Sequence, residues 1–436
     1  MQRRLISFDG TESVEAECLR PDRYRHLFAA VAGSGPSIAR GAGLNYCLAS
    51  GGAGVNSVSG VRFDRILDFD PEAGLITVEA GINLGKIFRF SIPKGWILPV
   101  MPGHPGITVG GCIACNVHGK NQYKDGNFAS VVDELSLYHP DHGELRCSAR
   151  ENAALFRLTL GGFGLTGFIL TARLRLQKTA GTAYRLRRRR VGGLCETAEV
   201  LRELGPQAQL LYSWHDLNGE GFGRGFVYWA QWDAGRRENQ LRYSRLDAEV
   251  RCGWRLPLFN RVTARLGVAA YYFSQRQSPA EEVVGLTQAA FPTVGKEFYF
   301  KLFGRAGFRD YQVLIPASAW KAAAKDLESL IRRRDIPVTM SSLKIFRGRA
   351  SYLNFDGDGV CLALDVAAGA PALEFFADLD AWTLAAGGII NLSRDSRFEA
   401  SLVRRMYPEY DRFRRELQAF DPKRRFDSAL RRRLDV

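Results

Sequence analysis

The segment PGHPGITVGGCIACNVHGKN, residues 102–121, is too dense in glycine and small residues for a core element and too long for a simple turn. It lacks the apolar period of a helix or a strand, yet it carries His104, Cys115, Asn116, His118, Lys120 and Asn121. That combination predicts a loop enclosing a ligand. Two other glycine-rich segments accompany it. RGAGLNY, residues 40–46, follows the strand-like run PSIA, and its glycines let successive backbone N–H groups converge on a concave site suited to phosphate oxygens. It is not the G-x-G-x-x-G of a Rossmann unit and opens no helix with an acidic residue ~20 positions on. GGFGLTGFI, residues 161–169, runs glycines into an apolar strand, where backbone must approach something flat or large closely.

Around these segments, residues 25–180 read as short β-type runs between glycine turns: PSIARG, RILDFD, LITVEAG, ELSLYHP, GELRCS and TGFILTARLRLQ. After Gln177 the texture changes to mixed strands and helices, including LLYSWHD, FVYWAQWD, YQVLIP and the helix-like ASAWKAAAKDLESLIRRR, whose apolar spacing is close to 3.6. A further helix is expected from about Ala372, leading into GGIINLSRDSR. With 436 residues, 46% of them apolar, the chain has material for two domains with separate cores. It shows no internal repeat and no low-complexity linker.

The longest apolar runs, such as Trp96 to Met101, stop well short of the ~20 residues of a spanning helix, and MQRRLISFDGTES at the N-terminus has no apolar signal core. A cytoplasmic location is therefore expected. Eight cysteines in such a chain argue for reduced thiols; Cys112 and Cys115 form a C-x-x-C, but no second pair stands at metal-ligand spacing, so no metal is expected. The 60 Lys+Arg against 46 Asp+Glu give +14, with runs at Arg187 to Arg190, Arg332 to Arg334 and Arg431 to Arg433. Such runs attract polyanions. No nucleic-acid-binding motif accompanies them, so nucleic acid is not expected, whereas an anionic membrane surface or a phosphate-bearing lipid fits; a solvated basic face is the plain alternative.

Taken together, the three glycine-rich segments resemble the FAD-binding (PCMH-type) domain of the vanillyl-alcohol-oxidase superfamily, and within it the polyprenyl-phosphoryl-ribose oxidases. The likeness extends over nearly the whole chain through Asp395-Ser396-Arg397, Met406-Tyr407-Pro408, Asp421-Pro422 and Phe426. It implies an α+β, two-domain flavoprotein: an FAD-binding domain of two small subsheets at 1–180, a substrate (cap) domain with an antiparallel sheet flanked by helices at 181–389, and a C-terminal segment, 390–436, returning to the first. It further implies FAD contacts from Arg40, Gly41, Ala42, Gly43, Leu44, Asn45, Gly103, Thr108, Val109, Gly110, Gly111, Cys115, Asn116, His118 and Ile169. Asn391 stands where the family has a tyrosine beside the flavin, and Ala363 where the type member has a cysteine. Covalent members carry a histidine at the position of Leu44; leucine cannot form that bond, so non-covalent FAD is expected.

Oxidising an alcohol requires that the hydroxyl proton leave and that the developing alkoxide be stabilised. The family associates this with a lysine in a K-D-S-R context, which here is Arg394. Arginine stays protonated, so it can stabilise an alkoxide or clamp a phosphate but is a poor proton acceptor. His118 has a pKa suited to acid–base work, though it equally suits a hydrogen bond to flavin or backbone. Lys344 matches a family lysine of the substrate domain, and Gln312 is placed to hydrogen-bond sugar oxygens; a solvated strand face is the alternative for both. The expected activity is FAD-dependent oxidation of a secondary sugar hydroxyl, on a polyprenyl-phosphate-linked pentose, completed as an epimerisation by a separate NAD(P)H-dependent short-chain reductase. The alternatives are a soluble alditol or aldonolactone oxidase and a non-catalytic flavin- or polyanion-binding protein.

Overall fold

The computed structural model describes residues 1–234 and 254–436. It is a mixed α/β structure built on several small sheets. The first is four-stranded, in the order Gln2–Ile6, Ser13–Leu19, Asn56–Ser59, Ser37–Arg40, with the first pair antiparallel and the others parallel. The second is a five-stranded antiparallel sheet in the order Ile66–Asp70, Leu75–Glu79, Phe168–Arg175, Val132–His139, Gly143–Ser148. Its alternating sequence sets the register: Ile76 and Val78 are buried directly opposite Leu174 and Ala172, so one face forms core and the other meets solvent.

Beyond residue 180 there are two four-stranded antiparallel sheets where one was expected. One is ordered Leu210–His215, Gly225–Asp233, Ala183–Val191, Glu281–Gly285; the other Met340–Phe346, Gly359–Ala367, Phe308–Pro316, Ile389–Ile390. Ser213 joins them: its hydroxyl donates to the Leu343 carbonyl at 3.1 Å and accepts from the Leu343 N–H at 2.8 Å. The helix Trp320–Arg334 buries Trp320, Ala323, Ala324, Leu327, Leu330 and Ile331 at helical spacing and packs on the helix Ala370–Ala385, whose Trp382 indole donates to the Ala323 carbonyl. Three arginines close its last turn, where they complement the helix dipole.

The arginine runs read as polyanion patches are threaded with carboxylates. Arg185 and Arg187 both pair with Glu281 and Arg188 with Glu282, because the neighbouring strand brings two glutamates alongside. Arg332 pairs with Glu328, and Arg333 and Arg334 with Asp378. Arg431 is fully buried on Asp421 at 2.8 Å and helps seat the C-terminal segment, whose backbone bonds to both sides of Ser37 in the first sheet. Among the described residues, no helix is long and apolar enough to cross a membrane.

Candidate active site

A cavity of about 990 Å³ runs between the glycine-rich segments and the face of the sheet that contains Phe308–Pro316. It is at the upper end of the ~300–1,000 Å³ usual for ligand sites. Every residue singled out from the sequence as catalytic or cofactor-binding lines it, except Val109. Val109 is fully buried in the core on the inner side of the short helix Val109–Ala114. That helix also corrects the expectation of an irregular loop over residues 102–121: Thr108 caps it by accepting from the Gly111 N–H, and Cys112 and Ile113 anchor it. Cys112 and Cys115 are free thiols, and burial pushes the Cys115 thiol up to about 11. Among the described residues there is no His/Cys/Asp/Glu cluster suited to a metal.

The glycine turn is built for close approach. A Cβ on Gly41 would lie 2.1 Å from Thr108 Oγ1, so the turn and the loop touch where any side chain would part them. Gly43 has a φ of +70°, and the Arg40 guanidinium fills the space its side chain would take. Arg40 and Asn45 both donate to Ser50 Oγ, which ties the turn's two ends together. Gly164 and Gly167 also line the cavity, but Gly161 makes its close approach to the Asn354 side chain rather than to a ligand. This bare, glycine-lined cradle fits the diphosphate and flat ring system of FAD.

Opposite the cradle, the polar groups form one hydrogen-bonded chain. Asn391 Nδ2 donates to Gln312 Oε1 at 2.6 Å, and Ser393 donates to Asn391 Oδ1 from both N–H and hydroxyl. Gln312 Nε2 then meets His118 Nε2 at 3.1 Å, leaving His118 Nδ1 against the Gly119 carbonyl at 3.2 Å. Lys344 Nζ stands 3.4 Å from the same imidazole. Burial, reinforced by Lys344, holds the His118 pKa well below its ordinary value. A neutral imidazole with both nitrogens engaged is a weak base, which argues against His118 as the proton acceptor and for its role as a hydrogen-bonding hinge.

Two lysines of the cavity also have depressed pKa values. Burial brings Lys344 to about 8, with Arg394 adding to the effect. Burial brings Lys120 to about 7, with Lys344 and Arg394 contributing. Lys120 lies inside the quoted loop, but nothing in its spacing reveals that it shares a cavity with another lysine. Arg394 stacks over the Tyr46 ring at 4.6 Å and faces Asp310 Oδ2 at 3.6 Å. Burial opposes its charge, but the facing Asp310 foremost outweighs burial, so it remains a cation.

Comparison with known proteins agrees with this geometry. Residues 27–148 match the FAD binding domain family. The chain is 30% identical over 431 residues to the decaprenylphosphoryl-β-D-ribose oxidase of Mycolicibacterium smegmatis, covering 94% of this chain and 91% of that one. The chain belongs to the decaprenylphosphoryl-β-D-ribose oxidase family. More local likenesses link this family member to the mouse L-gulonolactone oxidase, 34% identical over 113 residues (26% of each chain), and to the human Delta(24)-sterol reductase, 30% identical over 111 residues (26% of this chain, 22% of that one). It is accordingly an FAD-dependent oxidoreductase of the vanillyl-alcohol-oxidase type. That sets aside the non-catalytic reading.

Proposed function

We propose that this family member oxidises a secondary hydroxyl of a polyprenyl-phosphate-linked pentose to the keto sugar, as the oxidative half of an epimerisation in cell-envelope polysaccharide synthesis. A separate NAD(P)H-dependent short-chain reductase completes it. The observation that carries this reading is the ordered chain from Asn391 through Gln312 to His118, set beside Lys344 and facing the glycine cradle, in a protein similar over 94% of its length to an oxidase of a decaprenylphosphoryl sugar. The division proposed is an FAD-binding domain over residues 1–180, a substrate domain over 181–389 and a returning segment over 390–436. FAD is held non-covalently, since Leu44 at the first glycine turn offers no nucleophile and the imidazole of His118 is taken up by Gln312 and Gly119.

Bound FAD supplies the acceptor for the carbinol hydrogen and its electron pair. The chain's own residues do the rest. Gln312 and Asn391 orient sugar oxygens, Arg394 stabilises negative charge developing on the hydroxyl oxygen, and Lys344 Nζ, a free amine in part at neutral pH, takes the hydroxyl proton.

A peripheral contact with an anionic membrane belongs to the same proposal, and its support is not the ion-paired arginine runs. The helix Arg261–Gln277 buries Ala264, Val268 and Tyr272, with Val268 and Tyr271 lining the cavity, yet it also points Val262, Leu266 and Phe273 outward at 65%, 64% and 52% exposure. A helix apolar on both faces is suited to lie against lipid while its inner face guards the cavity.

Product analysis tests the chemistry. Incubation with polyprenyl-phosphoryl pentose and an electron acceptor should yield a sugar two hydrogens lighter that borohydride restores as two epimers. Turnover of free alditols or aldonolactones, with none of the lipid-linked sugar, would transfer the reading to a soluble polyol oxidase.

A further inference from the structure

The strands Phe308–Pro316 and Gly359–Ala367 are antiparallel neighbours whose register sets Asp310 directly opposite Asp365. Residues so placed share one face of a sheet, and like charges there are destabilising. Both side chains line the cavity, at 3% and 1% exposure. Two buried carboxyls set opposite each other can hydrogen-bond only through a proton, because ionised carboxylates are acceptors only. The remaining contacts agree. Among the described residues, Oδ1 of each is buried without a hydrogen-bond partner, whereas Asp310 Oδ2 faces Arg394 Nη1 at 3.6 Å and Asp365 Oδ2 accepts from the Tyr299 hydroxyl at 3.1 Å.

We propose that Asp310 and Asp365 share a single proton and together position Arg394, keeping this end of the substrate cavity at zero net charge. One carboxylate against one guanidinium is balanced. With both carboxyls ionised the three groups would carry a net negative charge, opposing both a phosphorylated substrate and the charge that develops on its hydroxyl oxygen. The proposal rests on the reading of the cavity as the substrate site.

The groups facing the pair have opposing effects. Arg394 and Lys344 favour ionisation of Asp310, Asp395 opposes it, Tyr299 steadies Asp365, and Tyr46 stays neutral because burial pushes its hydroxyl up. Burial decides the balance: it raises Asp310 and, with the adjacent Asp310 charge, lifts Asp365 well above the carboxylate range. A raised folded-state pKa means that the native protein holds a proton the unfolded chain releases, so this contribution to stability is full below about pH 4 and is lost as pH rises through the folded pKa.

The test uses the flavin-loaded protein and Asp365→Asn, whose amide can donate to Asp310 but cannot ionise. Thermal unfolding followed from pH 5 to 9 should show a decline in the wild type that exceeds the variant's by the release of about one proton. KM for a phosphorylated substrate should rise at least tenfold toward alkaline pH in the wild type and stay flat in the variant, with kcat less affected. Infrared spectra give a measure that does not depend on the variant folding. At pH 8, where Asp125 and Asp356, both pushed up to about 6 by burial, are ionised, a protonated-carboxyl band should persist in the wild type. Identical pH slopes in the two proteins, or absence of that band, would overturn the proposal. The thermal and infrared readouts need no substrate, so they separate its failure from failure of the substrate assignment.

Discussion

Asn391 Nδ2 donates to Gln312 Oε1 at 2.6 Å, and this contact sets the direction of the polar chain across the floor of the cavity. With Oε1 occupied, Gln312 turns its NH2 group to His118 Nε2 at 3.1 Å, so the imidazole carries its proton on Nδ1, toward the Gly119 carbonyl. Asn391→Ala should free the Gln312 amide and slow flavin reduction about tenfold, the effect of ~1–2 kcal/mol of lost preorganisation. Stopped-flow reduction checks this, and an unchanged rate would remove the chain from the mechanism.

Lys344 must lose its own proton before it can accept another. Its pKa is depressed to about 8, so the rate of the reductive step should rise with pH through that region and level off above it. Lys344→Met should reduce the rate about a hundredfold or more, within the usual range for a lost acid–base group, and abolish the rise. If Lys120→Met abolished it instead, the acceptor would be the other lysine.

Gly41 touches Thr108 so closely that a methyl group cannot be accommodated. Gly41→Ala should therefore open the cradle and weaken FAD binding by about tenfold, ~1.4 kcal/mol. The flavin-to-protein absorbance ratio after extended dialysis measures it.

Arg431 and Asp421 form a buried ion pair at 2.8 Å. Replacing Asp421 by Asn would leave a buried guanidinium without its counter-ion, a loss of about 3 kcal/mol or more. Urea unfolding should show it as a lowered midpoint while the spectrum of bound flavin is preserved.

The outward residues of the helix Arg261–Gln277 have a separate readout. Val262→Ser, Leu266→Ser and Phe273→Ser together should abolish flotation with anionic vesicles at low salt while leaving turnover of a short-chain soluble substrate within about twofold, as expected for surface changes. Flotation of the triple variant equal to that of the wild type would place the membrane contact elsewhere.

Much of this site was legible in the sequence because glycine motifs report backbone geometry locally. RGAGLNY and HGKN needed no knowledge of distant partners, and their residues line one cavity apart from Asn121, which is buried and donates to the Gly205 and Ala208 carbonyls. Val109 does not line the cavity because a short capped helix turns its side chain into the core. The pairing of Arg187 with Glu281 and the opposition of Asp310 and Asp365 are cross-strand registers between segments far apart in the chain, and no local pattern encodes them. The depressed pKa of Lys120 likewise arises only when folding buries it and brings Lys344 and Arg394 near.

The central claim is that this cavity holds FAD and passes the hydrogen of a sugar alcohol to it. The most direct measurement is the absorbance spectrum of the purified protein before and after acid precipitation, followed by anaerobic addition of polyprenyl-phosphoryl pentose to the native sample. The account predicts a flavin spectrum, its release as FAD into the acid supernatant, and bleaching on addition of the sugar. Flavin that stays with the precipitate would contradict the non-covalent site, flavin that stays oxidised would contradict the substrate, and a protein that takes up no flavin would contradict the account as a whole.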